Sequence, residues 1–369
     1  NSLFIDGAIS NDAFGLSDQG TNGGQAGVSP ISIDAIEQFN IVVAPYDVTI
    51  GGFSGAGVNA VTRSGSNKVD ASAYWFHRDQ SLAGKTPLDI TKDALDAFPD
   101  STSPRQKLAD FSTNIYGFRV GAPIIKNKLF VFVNAEVERR NQPQPFAFAN
   151  YNGDASQTDI EDLARLLESQ YGYEAGTFLD NPKTVQAEKF LVKFDYNIND
   201  KHKLTARYSY SKGRAQKTNP SNSGNINFSN RYEFFPSTTH SAALELNSTF
   251  NSKFSNRLIV GYTDVNDDRD PNGDPFPFVS IADGLGSINF GSEQFSTANN
   301  LQQTIFTVTD NFRIYAGRHN ITIGTHNEFY DVHNLFVAQN FGVYNYNDLA
   351  TFMSGGPASF YADPRSCGL

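Results

Sequence analysis

The sequence predicts an all-β membrane protein, a transmembrane antiparallel β-barrel preceded by a small, loop-rich domain. Three observations support this. From Lys68 onward, strand-length segments alternate apolar and polar residues, the mark of strands whose two faces meet different environments. The connections between these segments are alternately short and long. Phe (31) and Tyr (16) raise the aromatic share to 13%, while charged residues fall to 18%, against about 25% in an average soluble domain. Mean hydropathy is nevertheless only -0.40, and no stretch approaches the ~20 apolar residues of a spanning helix. Such a chain can span a membrane only as a closed barrel, the other structure that satisfies every backbone polar group internally.

Residues 1–67 are rich in Gly and small side chains, with short apolar runs such as Ile36-Glu37-Gln38-Phe39-Asn40-Ile41-Val42-Val43-Ala44. They read as the first domain, and 68–369 as the barrel. The chain opens at Asn1-Ser2-Leu3-Phe4-Ile5-Asp6-Gly7, a strand and its turn without the charged leader and apolar stretch of a signal peptide. An N-terminally incomplete chain is expected. The clearest wall strand runs from Lys128 to Arg140, with Leu129, Val131, Val133, Ala135 and Val137 on one face and Asn134, Glu136 and Glu138 on the other. Phe190 to Ile198 splits in the same way, with Phe190, Val192, Phe194, Tyr196 and Ile198 opposed by Lys193, Asp195 and Asn197. Leu204 to Tyr210 and His240 to Phe250 repeat the pattern. Val69 to Asp79, Phe111 to Ile124, Leu258 to Val265, Thr304 to Tyr315 and Asn320 to Val332 follow it less regularly. About nine strands result, each long enough to cross a bilayer at a tilt. Val131, Val133, Val192 and Phe194 are expected to face lipid.

Pro123 to Asn127, Asn199 to Lys203, Asn251 to Asn256 and Ala316 to His319 read as tight turns. Gln80 to Asp110, Asn141 to Lys183, Gly213 to Pro236 and Asn266 to Gln303 are long connections between them. Short turns at one end and long loops at the other describe periplasmic turns and extracellular loops. One loop predicts a helix, because Thr158-Asp159-Ile160-Glu161 fits a capping box, Ile160, Leu163, Ala164 and Leu167 share a stripe, and Gly172 follows as a stop. That stripe is expected to pack on its own loop.

The net charge of -10 opposes a nucleic-acid partner, which calls for a basic face. The six histidines (77, 202, 240, 319, 326 and 333) form no zinc motif, and Cys367 is the only cysteine. Gly55-Ala56-Gly57-Val58-Asn59-Ala60 matches a dinucleotide fingerprint in letters, but a β-branched segment follows where a helix is required. Ser54 lies in an incomplete nucleophile elbow with no acid or histidine placed beside it. No enzyme chemistry is expected.

Ile36 to Pro45, followed by Gly51-Gly52-Phe53-Ser54-Gly55-Ala56-Gly57-Val58-Asn59-Ala60-Val61-Thr62-Arg63-Ser64-Gly65, resembles the closing signature of TonB-dependent receptor plugs. Ala-Pro stands where many members have Arg-Gly-Pro, and Gly-Ala-Gly-Val replaces the commoner Ile-Gly-Gly-Val. Both departures are similar to the Oar-like branch, whose members carry a carboxypeptidase-regulatory-like N-terminal domain. Ser66 to Asp79, Gly317 to Gly324 and Asn345 to Phe352 extend the likeness to both ends of the chain. The resemblance implies a plugged barrel of about 22 strands when complete, of which this chain holds the end of the plug and about nine strands. It further implies residence among the lipids of a Gram-negative outer membrane. The implied function is TonB-dependent active transport of a large solute (peptide, oligosaccharide or metal chelate). The implied partners are TonB with the inner-membrane energising complex and a surface lipoprotein. A passive surface adhesin or structural barrel is the alternative.

Two candidate sites follow. In a plugged barrel the solute meets the plug's outward loops, which points to Asn11, Asp12, Phe14, Asp18, Gln19 and Asn22 in the stretch from Asn11 to Gly27. The same stretch also reads as a flexible Gly/Asn connection. Asp268, Asp270, Asn272 and Asp274 place oxygen side chains at alternate positions around Gly273, like the opening of a calcium loop. The Glu that closes such a loop is replaced by Val279, and these residues are also ordinary turn formers. Calcium is therefore the one candidate cofactor.

Overall fold

The computed structural model describes residues 2–15, 20–43, 56–85 and 107–362. Each of the expected wall strands forms: β5 (Asp70–Asp79), β6 (Ser112–Ile125), β7 (Leu129–Gln142), β8 (Lys183–Asn199), β9 (His202–Lys217), β11 (Glu233–Thr249), β12 (Phe254–Asp268), β16 (Asn299–Ala316) and β17 (His319–Phe336). They pair antiparallel in the order β17-β16-β12-β11-β9-β8-β7-β6-β5, and the short β13 (Asp270–Pro271) adds beside β11. Every pairing along this path joins successive wall strands, as a barrel wall requires.

The register separates two environments. Val120, Val133, Val192, Tyr208, Ala242, Tyr262, Phe306 and Phe329 are successive cross-strand partners and form one apolar row. Tyr74, Gly117, Glu136, Lys189, Ser211, Thr239, Val265 and Gln303 form a row on the opposite face. The apolar row stands outside, with Tyr262 44% and Phe306 41% exposed, whereas Glu136 and Lys189 are buried. A soluble sheet would bury the opposite face, so this arrangement requires lipid around it. Within the inner row, a Cβ at Gly117 would run into the Tyr74 ring that lies across it, which explains a glycine in mid-strand.

The strands outrun the sequence signal at their long-loop ends. β8 starts at Lys183, β9 runs on to Lys217, and β11 starts at Glu233. There the exposed positions are Gln186, Glu188, Lys212 and Lys217, because these extensions stand in water and need no apolar outer face.

Inside the wall lies a small sheet of β1 (Ser2–Ile5), β2 (Ala8–Ile9), β3 (Ile36–Val43) and β4 (Ala56–Thr62), in the order β2-β1-β4-β3. β1 and β2 form a hairpin through Asp6 (φ 50°) and Gly7 (φ 81°), the left-handed pair that a two-residue turn demands. β4 occupies Ala56–Thr62 as a strand, so the fingerprint letters there do not open a helix. Ile5, Ile31, Ala35, Ile36 and Ala60 pack on Phe132 and Leu191 of the wall. Ala26 and Val28 pack on Val185, Ala187 and Ala215.

The long loops depart most from expectation, because they fold into a cap. A second sheet runs β10-β15-β14-β18-β19, built from β10 (Asn225–Asn227), β14 (Phe278–Asp283), β15 (Gly286–Phe290), β18 (Val343–Tyr346) and β19 (Phe360–Ala362). Helix α1 (Gln157–Tyr171) covers it, and a short α2 (Leu349–Met353) follows. Ile160, Leu163 and Leu167 of α1 join Phe178, Ile226, Phe228, Ile281, Ile288, Phe290 and Phe352 in one core. The helix starts earlier than the Thr158–Glu161 box predicts. Ser156 is the N-cap, and the shorter Asp159 reaches back to it, satisfying the same reciprocal pattern. Gly172 ends the helix at φ 62°.

Candidate functional site

The plug is seated on the wall by charge. Asp6, at the tip of its hairpin, accepts from Thr62 N at 2.8 Å and from Thr62 Oγ1 at 2.6 Å. Its carboxylate stands 3.9 Å from Lys193 Nζ and 3.6 Å from Arg207 Nε. Lys193 Nζ also donates to the Thr62 carbonyl at 3.1 Å. Further up the wall, Glu136 accepts from Lys189 Nζ at 2.8 Å, Tyr74 OH at 2.7 Å and the plug's Ser32 Oγ at 2.8 Å. Lys189 reaches the plug's Ser29 Oγ at 2.9 Å. Arg119 pairs with Asp34 of the plug at 3.3 Å and with Asp70 of β5 at 2.6 Å. Buried charges of this kind are tolerable only when paired, and here part of the pairing comes from the other domain.

The described members of the predicted solute-contact set are placed differently. Asn11 is committed to the plug, accepting from Leu3 N at 2.8 Å and donating to Ser2 Oγ at 2.7 Å. Asp12 accepts from Phe14 N at 3.1 Å and from the wall's Gln303 Nε2 at 3.3 Å. Phe14 N also donates to Gln303 Oε1 at 3.1 Å, while its ring is 44% exposed. Asn22 is buried, and neither amide atom has a partner. Asp18 and Gln19 lie outside the described residues, as do Gly51–Gly55 and Cys367. At the mouth, Gln25 of the plug accepts from Arg269 Nη2 at 2.7 Å. The Arg269 guanidinium lies over the Phe235 ring at 3.2 Å and stands 3.7 Å from Glu233.

The calcium-like turn spans the end of β12, the short β13 and the bend that follows it. Asp268 ends β12 and accepts from Arg269 N at 2.8 Å. Asp270 lies in β13 and pairs with Arg214 at 3.0 Å. Asn272 Nδ2 donates to the Ser229 carbonyl at 3.0 Å. Among the described residues, no three His, Cys, Asp or Glu side chains are grouped to hold a metal ion, so Asp268, Asp270 and Asp274 do not converge.

In the cap, Asp283 accepts from Tyr151 OH at 2.9 Å and from Ala155 N at 3.1 Å. Burial, and after it this hydrogen bond, push the Tyr151 phenol above its ordinary range. Burial lowers Arg231, partly offset by Glu293.

Gln303 and Arg269 are the wall residues that sequence reasoning missed. Their signal is weak, since each is one polar residue among many at a strand end, and its importance depends on which plug residue lies opposite. Glu136 and Lys193 were legible as an ionic strand face, but their partners were not.

The family described as "Outer membrane beta barrel domain" matches residues 61–160 and 156–366. The TonB-dependent transporter Oar of Myxococcus xanthus is 28% identical over 207 residues, covering 56% of this chain and 18% of that protein. Among solved structures, the outer membrane transporter YddB from Escherichia coli aligns with 98% of this chain and 43% of its own, at TM-score 0.60 and 13% identity. The siderophore receptor PirA from Acinetobacter baumannii aligns with 90% of this chain and 40% of its own, at TM-score 0.50 and 14% identity. The chain thus spans less than half the length of each of these relatives.

Proposed function

This chain belongs to the outer membrane beta barrel domain family, and from that premise we propose that it is part of a TonB-dependent transporter that imports a large solute. The observation that supports this best is the plug's seat. Asp6, Ser29, Ser32 and Asp34 meet Lys193, Arg207, Lys189, Glu136 and Arg119 of the wall, so the lumen is stoppered by contacts that are specific and separable. A plug that fills its barrel must shift before a solute can pass, and the shift requires work. TonB, driven by the inner-membrane energising complex, would deliver that work from the periplasmic side. The solute class remains peptide, oligosaccharide or metal chelate; PirA, described as a siderophore receptor, keeps the chelate among them. Asp12 and Phe14, held at the wall by Gln303, are the proposed first contacts within the loop that includes Asn11, Asp18, Gln19 and Asn22. A surface lipoprotein is a further proposed partner, seated on the cap.

Binding and entry should respond differently to energy. In cells lacking TonB, solute binding at the surface should persist and uptake should stop. Unchanged uptake in those cells would contradict active transport and favour the passive adhesin or structural barrel.

A further inference from the structure

We propose that a lumenal cavity at the long-loop ends of β5, β6 and β7 binds, through Arg78 and Arg140, a carboxylate that the solute carries beside an apolar group, as at the C-terminus of a peptide. The inference names the solute class and so rests on the transport reading, although the binding itself needs neither TonB nor transport.

Arg78, Thr113 and Arg140 are successive cross-strand partners. They lie an even number of positions along their strands from Tyr74, Gly117 and Glu136, the partners of the inner row, so they share its lumenal face. A cavity of about 650 Å³ opens around them, within the ~300–1,000 Å³ of ligand sites. Arg78, Thr113, Arg140 and Gln142 are its polar lining, and Leu108 and Phe111 give it an apolar side. The next residue along the Arg140 row is Val185 of β8, which packs on Ala26 and Val28 of the plug. The cavity therefore stands at the plug's rim. It is a different place from the Asp12 and Phe14 contact, which Gln303 of β16 holds near the other end of the arc.

The charge of this corner opposes that of the chain, which is -10 in all. Arg140 gives Nη2 to Glu138 at 2.5 Å. Arg78 pairs with no carboxylate among the described residues; its guanidinium lies over the Phe111 ring, 5.1 Å from the centre. Two guanidiniums thus face the cavity against one carboxylate, and each presents a planar fork that fits an incoming carboxylate. Thr113 Oγ1 and Gln142 Nε2 add neutral donors beside them. Phe111 orients Arg78 and, with Leu108, offers a wall to whatever the carboxylate is attached to. A sugar acid would press hydroxyls against that wall and lose their hydrogen bonds to water, whereas an apolar side chain gains by burial there.

The test uses the purified full-length protein in detergent and the fluorescence anisotropy of Ala-Ala-Phe carrying a neutral dye at its N-terminus, as the free acid and as the C-terminal amide. The acid should bind about tenfold more tightly, the discrimination that one charge-assisted hydrogen-bonded pair supplies. Arg78→Gln removes no ion pair among the described residues. It should weaken the acid about tenfold and leave the amide unchanged, and Arg78→Lys should recover part of the loss. Trigalacturonate, whose carboxylates lack an apolar neighbour, should fail to displace the labelled acid at concentrations where unlabelled Ala-Ala-Phe succeeds. Heat-modifiable gel mobility reports whether each variant keeps its barrel. With the barrel intact, absence of acid-selective binding, an Arg78→Gln protein that binds the acid as the parent does, or displacement by trigalacturonate would overturn the proposal. Uptake that persists in cells lacking TonB, with acid-selective binding retained, would count against transport and leave this site standing.

Discussion

At the scale of single residues, Asp6 does two things at once. Its left-handed φ and the following Gly7 make the β1–β2 turn, which the Asp-Gly pair announces in the sequence. Its carboxylate also stands between Lys193 and Arg207, which only the folded chain reveals. Asp6→Ala should leave two buried cations without their anion and weaken the plug's seat by about 3–5 kcal/mol. Urea-induced release of the plug, followed by its proteolysis, should shift to a lower midpoint, and Lys193→Met in the same background should restore part of the loss. An unchanged midpoint for Asp6→Ala would show that the turn, rather than the charge, holds the plug. Calcium at the expected turn would face a competing neighbour. Arg214 already occupies Asp270, so a cation must compete with it. Calorimetric titration should detect calcium more readily in Arg214→Ala than in the parent, and absence of heat in both would leave the turn explanation standing.

At the scale of elements, the wall was legible and the cap was not. Period-two alternation from Lys128 to Arg140 and from Phe190 to Ile198 reports a local fact, that one side of each strand meets lipid and the other the lumen. Val133→Arg or Val192→Arg should therefore cost about 2–4 kcal/mol near mid-bilayer. Spin labels there should be reached by lipid-soluble oxygen more readily than a label at Glu136; equal accessibility on the two faces would contradict the observed register. The strand ends were misjudged because alternation stops where lipid stops, while the hydrogen-bond ladder continues to Lys183 and Lys217. The cap strands are short, and apart from the local β14–β15 hairpin they pair with other parts of the chain, β10 with β15 and β14 with β18 in parallel, so no extended alternation marks them. Ile281 and Leu163 nonetheless sit fully buried in a common core. Ile281→Ala should destabilise the cap by about 2–5 kcal/mol. Limited proteolysis should then cut within 143–182 and 269–298 while the wall stays intact, and equal cleavage of cap and wall would deny the cap a core of its own.

At the scale of the whole molecule, this is an outer-membrane chain whose described strands form an arc of wall around part of a plug, with β5 and β17 at its two edges. The sequence by itself determined the class of solvent. Few charges, many aromatics, alternation without a spanning helix and loops of alternating length admit only a barrel, because each is a local consequence of placing a strand between lipid and water. It also determined the tight turns, the α1 stripe and the ionic inner face. Tertiary structure alone decided what that face holds. Glu136 meets Lys189, Asp6 meets Arg207 and Asp12 meets Gln303. These pairings depend on the seating angle of one domain within another and join residues far apart in the chain. A charge in the sequence carries no record of its distant partner, because the energy of a buried charge is set by what the fold brings beside it.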